Sequence, residues 1–148
     1  MPQSLAKVNV HIVFSTKHGQ HLVNNTIRKE LHAYLIGVLT KLGSFTYEVY
    51  ANPDHVHILN TLPRTITIAD SVSRIKTSTS KWLKLNGVNR FDWQDGYAIF
   101  SVSASKIEAV SKYALNQPEH HKIVSFQDEL RQFFKQYKTE YDEKYVWD

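Results

Sequence analysis

Residues 52–59 have the sequence NPDHVHIL, which places two histidines two positions apart in a segment rich in β-forming residues. In a strand, side chains at i and i+2 share one face, with their Cα atoms about 6.5–7 Å apart. His55 and His57 can therefore converge on one ion, while Val56 and Ile58 point to the opposite face. The asparagine–proline–aspartate sequence that opens the segment is typical of a turn. An isolated pair of this kind is also compatible with one exposed and one hydrogen-bonded histidine.

The segments around the histidine strand alternate between strand and helix periodicity. Apolar residues alternate at residues 5–14, 45–51 and 97–103, which predicts three more strands. They recur at steps of three and four at residues 25–42, 67–85, 105–117 and 125–137, which predicts four helices. Ser105 and Glu108 have the spacing of a capping box. The order β-α-β-β-α-β, then two helices, predicts an α+β, ferredoxin-like (split βαβ) antiparallel sheet.

Composition limits the class of protein. A chain of 148 residues with 42% hydrophobic residues predicts one folded domain spanning residues 1–148 and excludes a disordered protein. The absence of cysteine excludes disulfides and thiolate metal sites, so His, carboxylate, amide and hydroxyl ligands remain. There is neither a secretory leader nor an apolar run of membrane-spanning length, so we expect a cytoplasmic protein.

The charge of the chain is compatible with a polyanionic partner. The formal net charge is +4 and the pI is about 9.2. On the helix predicted at residues 67–85, basic and hydroxyl side chains share one face, among them Arg74, Ser78, Lys81 and Lys84. Such a face suits contacts with phosphates, although an ordinary solvated helix face has the same composition.

Residues 112–122 have the sequence KYALNQPEHHK and carry a second group of candidate site residues. Tyr113 and Gln117 are four residues apart, so they lie on one face of a helix that Pro118 must end or bend. Together with the two histidines they offer two imidazoles, an amide oxygen and a phenol. Because all three metal ligands are neutral, a bound divalent ion keeps its full positive charge and can bind a phosphate strongly. A tyrosine can be a covalent nucleophile, and a nearby cation favours its phenolate.

These motifs together resemble the single-tyrosine transposases of small bacterial insertion sequences, a branch of the HUH nucleases. HUH denotes histidine, a hydrophobic residue and histidine, which here are His55, Val56 and His57 within PDHVH. The resemblance implies that Tyr113, on a later helix, is the catalytic nucleophile and that Gln117 is the third metal ligand beside the histidines. It further implies a homodimer acting on single-stranded DNA, often at hairpins near element ends, with Mg²⁺ or Mn²⁺. The reaction would be transesterification through a 5′-phosphotyrosine intermediate.

Other functions fit parts of the same pattern. A ferredoxin-like sheet can hold single-stranded nucleic acid without cutting it, and a domesticated relative could keep the nuclease for a host task. A zinc hydrolase fits less well, since glutamine is a poor zinc ligand. His120 and His121 could contact DNA or cap the helix, and Asp54 could orient a histidine or only form the turn. The loop at residues 91–97 could stack on bases or belong to the core.

Overall fold

The computed structural model describes residues 2–148 and contains one four-stranded antiparallel sheet in the order β2-β3-β1-β4. The strands are β1 Asn9–Ser15, β2 Thr46–Ala51, β3 His55–Thr61 and β4 Ala98–Ser101. The helices are α1 Asn25–Lys41, α2 Ile68–Leu85, α3 Ile107–Leu115, α4 Gln117–His120 and α5 Phe126–Gln136, with 3₁₀ turns at Lys17–Gly19 and Ala104–Lys106. The predicted ferredoxin-like fold is therefore confirmed.

Helices α1 and α2 cover one face of the sheet with the larger hydrophobic core. The strands contribute alternate residues, among them Ile12, Phe14, Val56 and Ile58, which are almost fully buried. Both helices begin at a side-chain cap, because Asn24 accepts a hydrogen bond from the backbone N–H of Ile27, and Thr67 accepts one from that of Asp70. This face builds the scaffold and leaves the histidines of β3 on the other side.

Leu35 offers a test of this scaffold. Its side chain is 0% exposed in the core, whereas the next residue of the same helix, Ile36, is 43% exposed. We expect Leu35→Ala to lower the free energy of unfolding by about 2–5 kcal/mol, because the variant loses apolar burial and leaves a cavity. Ile36→Ala is the matched control and should change stability by less than about 1 kcal/mol. Urea unfolding measures both, and equal effects would contradict the assignment of this face.

Helix α5 covers the opposite face of the sheet. Its Leu130 and Phe134 form a second core with Val13, Ala98 and Phe100 of the sheet. Val13 is paired with His57 across β1 and β3, so the histidine side chains lie on the face that α5 covers. Helix α3 contacts β2 and β3, beside α5. The site residues are therefore enclosed between the sheet and the C-terminal helices.

Two local predictions were wrong. β1 begins at Asn9 rather than residue 5, and Val8 is largely exposed. The capping box does not form, because Ser103 precedes a 3₁₀ turn at Ala104–Lys106, and α3 begins only at Ile107 with no side-chain cap. The predicted stop or bend near Gln117 is confirmed, because α3 ends at Leu115 and a new helix, with Pro118 in its first turn, begins at Gln117.

The last residues of the chain pack against the sheet edge. The backbone N–H of Gly96 donates a hydrogen bond of 2.9 Å to the Asp148 carbonyl. The Arg131 guanidinium lies 5.1 Å from the centre of the Trp147 ring. These contacts hold α5 and the C-terminal segment together.

Within residues 2–148, no helix has the length and apolar character needed to cross a membrane.

Candidate metal centre and tyrosine site

His55 and His57 are buried at the start of β3, with ring centres 5.1 Å apart. The turn before the strand closes through a hydrogen bond of 2.7 Å from the Asn52 N–H to the His55 carbonyl. The predicted sharing of one sheet face by the two histidines is therefore confirmed.

The Nδ1 atom of each of these two imidazoles is fixed by a neighbouring side chain. Nδ1 of His55 donates to Asp54 Oδ1 at 2.7 Å, so Asp54 orients the histidine as well as forming the turn. Nδ1 of His57 lies 2.8 Å from Nε2 of His11 on β1, a contact that was not predicted from the sequence. Burial lowers the pKa of His11 to about 3, so its imidazole stays neutral. Both Nε2 atoms consequently face the space between the sheet and α5.

Tyr113 and Gln117 reach the same space although they belong to different helices. The chain turns at Asn116, between α3 and α4. Gln117 is fully buried, and its Oε1 accepts a hydrogen bond of 3.1 Å from Asn52 Nδ2. The ring centre of Tyr113 lies 5.8 Å from that of His57. All four residues singled out by the sequence thus lie in one cluster.

Glu129 stands at the centre of this cluster, and the sequence analysis missed it. Its carboxylate is 3.0 Å from Nε2 of His57 and 3.4 Å from Nε2 of His55. It also accepts hydrogen bonds from Gln117 Nε2 at 3.2 Å and from the Tyr113 hydroxyl. The sequence does contain an indication of this role. Glu129 lies three residues after Phe126, within the apolar stripe of α5. A carboxylate in a buried helix stripe needs a partner of its own.

His120 and His121 also line the cluster. His121 is the C-cap residue of α4, and its Nδ1 donates to the Val124 carbonyl at 2.8 Å. Its Nε2 lies 2.8 Å from Gln117 Oε1 and 3.4 Å from Glu129 Oε2. Nε2 of His120 is 3.2 Å from the Tyr113 hydroxyl. Capping alone therefore does not account for the pair.

The electrostatics keep Glu129 ionised and Tyr113 protonated. Burial alone would raise the pKa of Glu129, but hydrogen bonds from His121, His55 and His57 outweigh it and lower the pKa. Burial also opposes protonation of His55, yet the Asp54 and Glu129 carboxylates outweigh this and raise its pKa. Burial and the negative charge of Glu129 raise the pKa of Tyr113. A cation beside the phenol would reverse part of this effect.

The donor set fits a divalent metal ion. His55, His57, His121 and Glu129 each offer one ligand atom, and these atoms all lie within 4.8 Å of one another. Imidazole and carboxylate are ligands for several divalent first-row metals.

The sequence of the chain decides its family. The profile of a family described as "Transposase IS200 like" matches residues 4–117, which is well over half of the chain. The chain belongs to this family of transposases. A comparison with curated protein sequences found no match.

Solved structures share the fold of this transposase. A candidate transposase from Deinococcus radiodurans R1 has 20% identity and a TM-score of 0.62, over 79% of this chain and 98% of that chain. A REP-associated tyrosine transposase, solved bound to a REP hairpin, has 16% identity and a TM-score of 0.60, over 84% of this chain and 74% of that chain. At these identities the likeness shows the fold. The family match ends at Gln117, so Glu129 and His121 lie beyond the matched segment.

The structure has an open groove beside the site and another along α2, the helix that covers the opposite face of the sheet. One lies beside Tyr113 and is lined by Ala109, Lys112, Leu115 and Asn116. The other runs between α2 and the loop at residues 92–97, and its ammonium and hydroxyl groups belong to Ser73, Lys76, Thr77, Ser80, Lys81 and Lys84. Trp93 belongs to the core, because its indole is buried and donates to Thr79 Oγ1 at 2.9 Å.

Proposed function

We propose that this transposase cleaves and rejoins single-stranded DNA by transesterification, with Tyr113 as the nucleophile. The observation that carries the proposal is the hydrogen bond from the Tyr113 hydroxyl to Glu129, whose carboxylate also meets His55 and His57. A pure nucleic-acid-binding module has no need for a tyrosine, two histidines and a carboxylate to converge in a buried site.

The proposed step balances without a nucleotide cofactor. The Tyr113 oxygen attacks phosphorus, the bond to the 3′-oxygen breaks, and a 3′-hydroxyl leaves. The phenolic proton passes to Glu129, which already accepts the hydrogen bond, and from there to the departing 3′-oxygen. The product is a 5′-phosphotyrosine, whose ester keeps the bond energy for rejoining when a 3′-hydroxyl attacks it.

We propose that His55, His57 and Gln117 hold Mg²⁺ or Mn²⁺, as the resemblance implies. When bound, such an ion would supply Lewis-acid stabilisation of charge on the phosphate and favour the phenolate. The protein prepares the donors, since Asp54 and His11 fix the two imidazoles and Asn52 holds the amide oxygen of Gln117. These contacts support the proposal.

The proposed partner is single-stranded DNA, folded as hairpins at element ends. A relative of the same fold was solved with a REP hairpin, which supports a hairpin here. We further propose that residues 1–148 form one transposase domain, that two copies form a homodimer, and that the activity is cytoplasmic. Within one chain the ring centre of Tyr113 lies 5.8 Å from that of His57, which supports action of the tyrosine on its own subunit's site. Light scattering measures the state of assembly.

The groove along α2 gives a prediction about DNA affinity. Lys81 and Lys84 line this groove, and the double variant Lys81→Ala/Lys84→Ala removes two cations that we expect to contact phosphates. We expect roughly tenfold weaker binding to single-stranded DNA and a slope of log affinity against log salt that is smaller in magnitude by about 1.4. Fluorescence anisotropy at several salt concentrations measures both. The control, Lys7→Ala/Lys29→Ala, removes two exposed cations outside the groove; equal losses in both variants would contradict a specific contact.

The reaction itself is tested with labelled oligonucleotides from the flanks of the gene. In the presence of Mg²⁺ or Mn²⁺ we expect an adduct that survives SDS. Absence of an adduct together with a gel shift that ignores EDTA would contradict the proposal and favour the binding module.

A further inference from the structure

Three imidazoles of the cluster share one arrangement. The Nδ1 atoms of His55, His57 and His121 are each held from outside, by Asp54, His11 and the Val124 carbonyl, at 2.7, 2.8 and 2.8 Å. The corresponding Nε2 atoms all face the carboxylate of Glu129, at 3.4, 3.0 and 3.4 Å. An outer hydrogen bond on one ring nitrogen, with the other turned inward, is how proteins hold histidines that bind metals.

The Nε2 atom of His121 faces the space between the side chains of Gln117 and Glu129, where a metal ion would lie. Its Nδ1 faces a carbonyl, which can only accept, so Nδ1 carries a proton. Its Nε2 lies 2.8 Å from the amide oxygen of Gln117, which accepts a hydrogen bond from Asn52. The lone pair on Nε2 therefore faces the oxygen atoms of Gln117 and Glu129, as it would face a metal ion bound between them.

The spacing of the donor atoms matches that of ligands around one ion. Two ligands, each about 2.1 Å from a metal, lie about 3.0–3.4 Å apart when the angle between them is 90–109°. The distances from Glu129 to Nε2 of His57 and of His55 are 3.0 and 3.4 Å. All four donor atoms lie within 4.8 Å of one another, against about 4.2 Å for the widest pair of such ligands, so a small shift of the side chains brings them onto one ion.

We infer that His121 and Glu129 are direct ligands of the metal ion that His55 and His57 bind, forming a site of three imidazoles and one carboxylate. The inference rests on the proposed function only for the presence of a metal at the two histidines. This site replaces Gln117, proposed above as the third ligand, by His121 and Glu129. Gln117 donates to Glu129 through its amide and accepts from Asn52 through its oxygen, so it positions the carboxylate.

This ligand set changes the expected metal. Mg²⁺ prefers oxygen ligands and keeps several waters, whereas imidazole suits first-row transition metals. The site should therefore prefer Mn²⁺ over Mg²⁺. An anionic ligand also lowers the charge that the bound ion presents to a phosphate, compared with three neutral ligands.

The test measures metal binding by the full-length protein, independently of DNA cleavage. Titration calorimetry with Mn²⁺ and with Mg²⁺ should give at least about tenfold tighter binding of Mn²⁺. Glu129→Gln keeps the shape of the side chain and should weaken Mn²⁺ binding by about 10- to 100-fold or more. Glu119→Gln is the matched control, because it removes an exposed carboxylate that pairs only with Lys122. Affinity of Glu129→Gln within threefold of the control would overturn the inference.

A second measurement does not depend on the stability of the Glu129 variant. Pulsed electron paramagnetic resonance of bound Mn²⁺ counts the coordinated imidazole nitrogens of the unaltered protein. We expect three, and two in His121→Gln; two in the unaltered protein would overturn the inference. The adduct assay tests the proposed function separately. Covalent adducts together with only two coordinated nitrogens would support the transposase reaction and overturn the inference. Three coordinated nitrogens without any adduct would support the inference and contradict the proposed reaction.

Discussion

Replacement of Tyr113 by phenylalanine is expected to abolish the covalent protein–DNA adduct while leaving DNA binding intact. Phenylalanine keeps the ring beside His57 but has no oxygen to attack phosphorus. The loss should therefore be complete within detection, at least about 10³-fold. The variant also loses the hydrogen bond to Glu129, which should change stability by only about 1 kcal/mol because four histidines remain around the carboxylate.

The matched control is Tyr145→Phe, which removes an exposed phenol outside the α2 groove. Denaturing gels after incubation with labelled oligonucleotide measure the adduct, and anisotropy measures binding. Loss of the adduct only in Tyr113→Phe identifies the nucleophile. An adduct at the level of the unaltered protein would exclude Tyr113 and direct the search to the other tyrosines.

Removal of the metal should have a comparably large effect. We expect EDTA, or the substitution His57→Ala, to reduce adduct formation by at least about 10³-fold, because charge on the phosphate and on the phenol is no longer stabilised. His57 is fully buried and both of its ring nitrogens have partners, at 2.8 and 3.0 Å. Its truncation should also lower the free energy of unfolding by about 2–5 kcal/mol.

The two treatments separate chemistry from folding. EDTA leaves the covalent structure unchanged, so a loss of adduct that Mn²⁺ restores cannot arise from unfolding. The His57→Ala variant is assayed below its melting temperature, which circular dichroism measures. Added Mn²⁺ should not restore adduct formation by this variant. An adduct that forms equally well in EDTA would refute the metal dependence.

Periodicity predicted the fold because each element of this chain buries one face. Ile27, Leu31, Leu35 and Leu39 repeat along α1, and all four are buried in the structure. Local capping was less predictable: Asn24 does cap α1, whereas the Ser105–Glu108 spacing did not produce a cap. A capping pattern shows only that a bond can form, and the 3₁₀ turn at Ala104–Lys106 uses the same residues differently.

The centre of the site was harder to predict than its motifs. The i, i+2 rule placed His55 and His57 on one face from local geometry alone. The contact between His57 and Glu129 joins residues 72 positions apart, and it depends on how α5 lies on the sheet. That orientation is set by Leu130 and Phe134 against the strands, which no local pattern reveals. The assignment of Gln117 as a ligand stays a prediction.

Helix α5 begins nine residues after the last position of the family match and carries a carboxylate that contacts every residue of the predicted site. A frameshift or premature stop codon after Gln117 would therefore leave the codons for PDHVH and Tyr113 intact, while the protein would lack Glu129. We expect such copies to be silent. Genome surveys that count mobile elements by these motifs alone would then overestimate how many copies can still move.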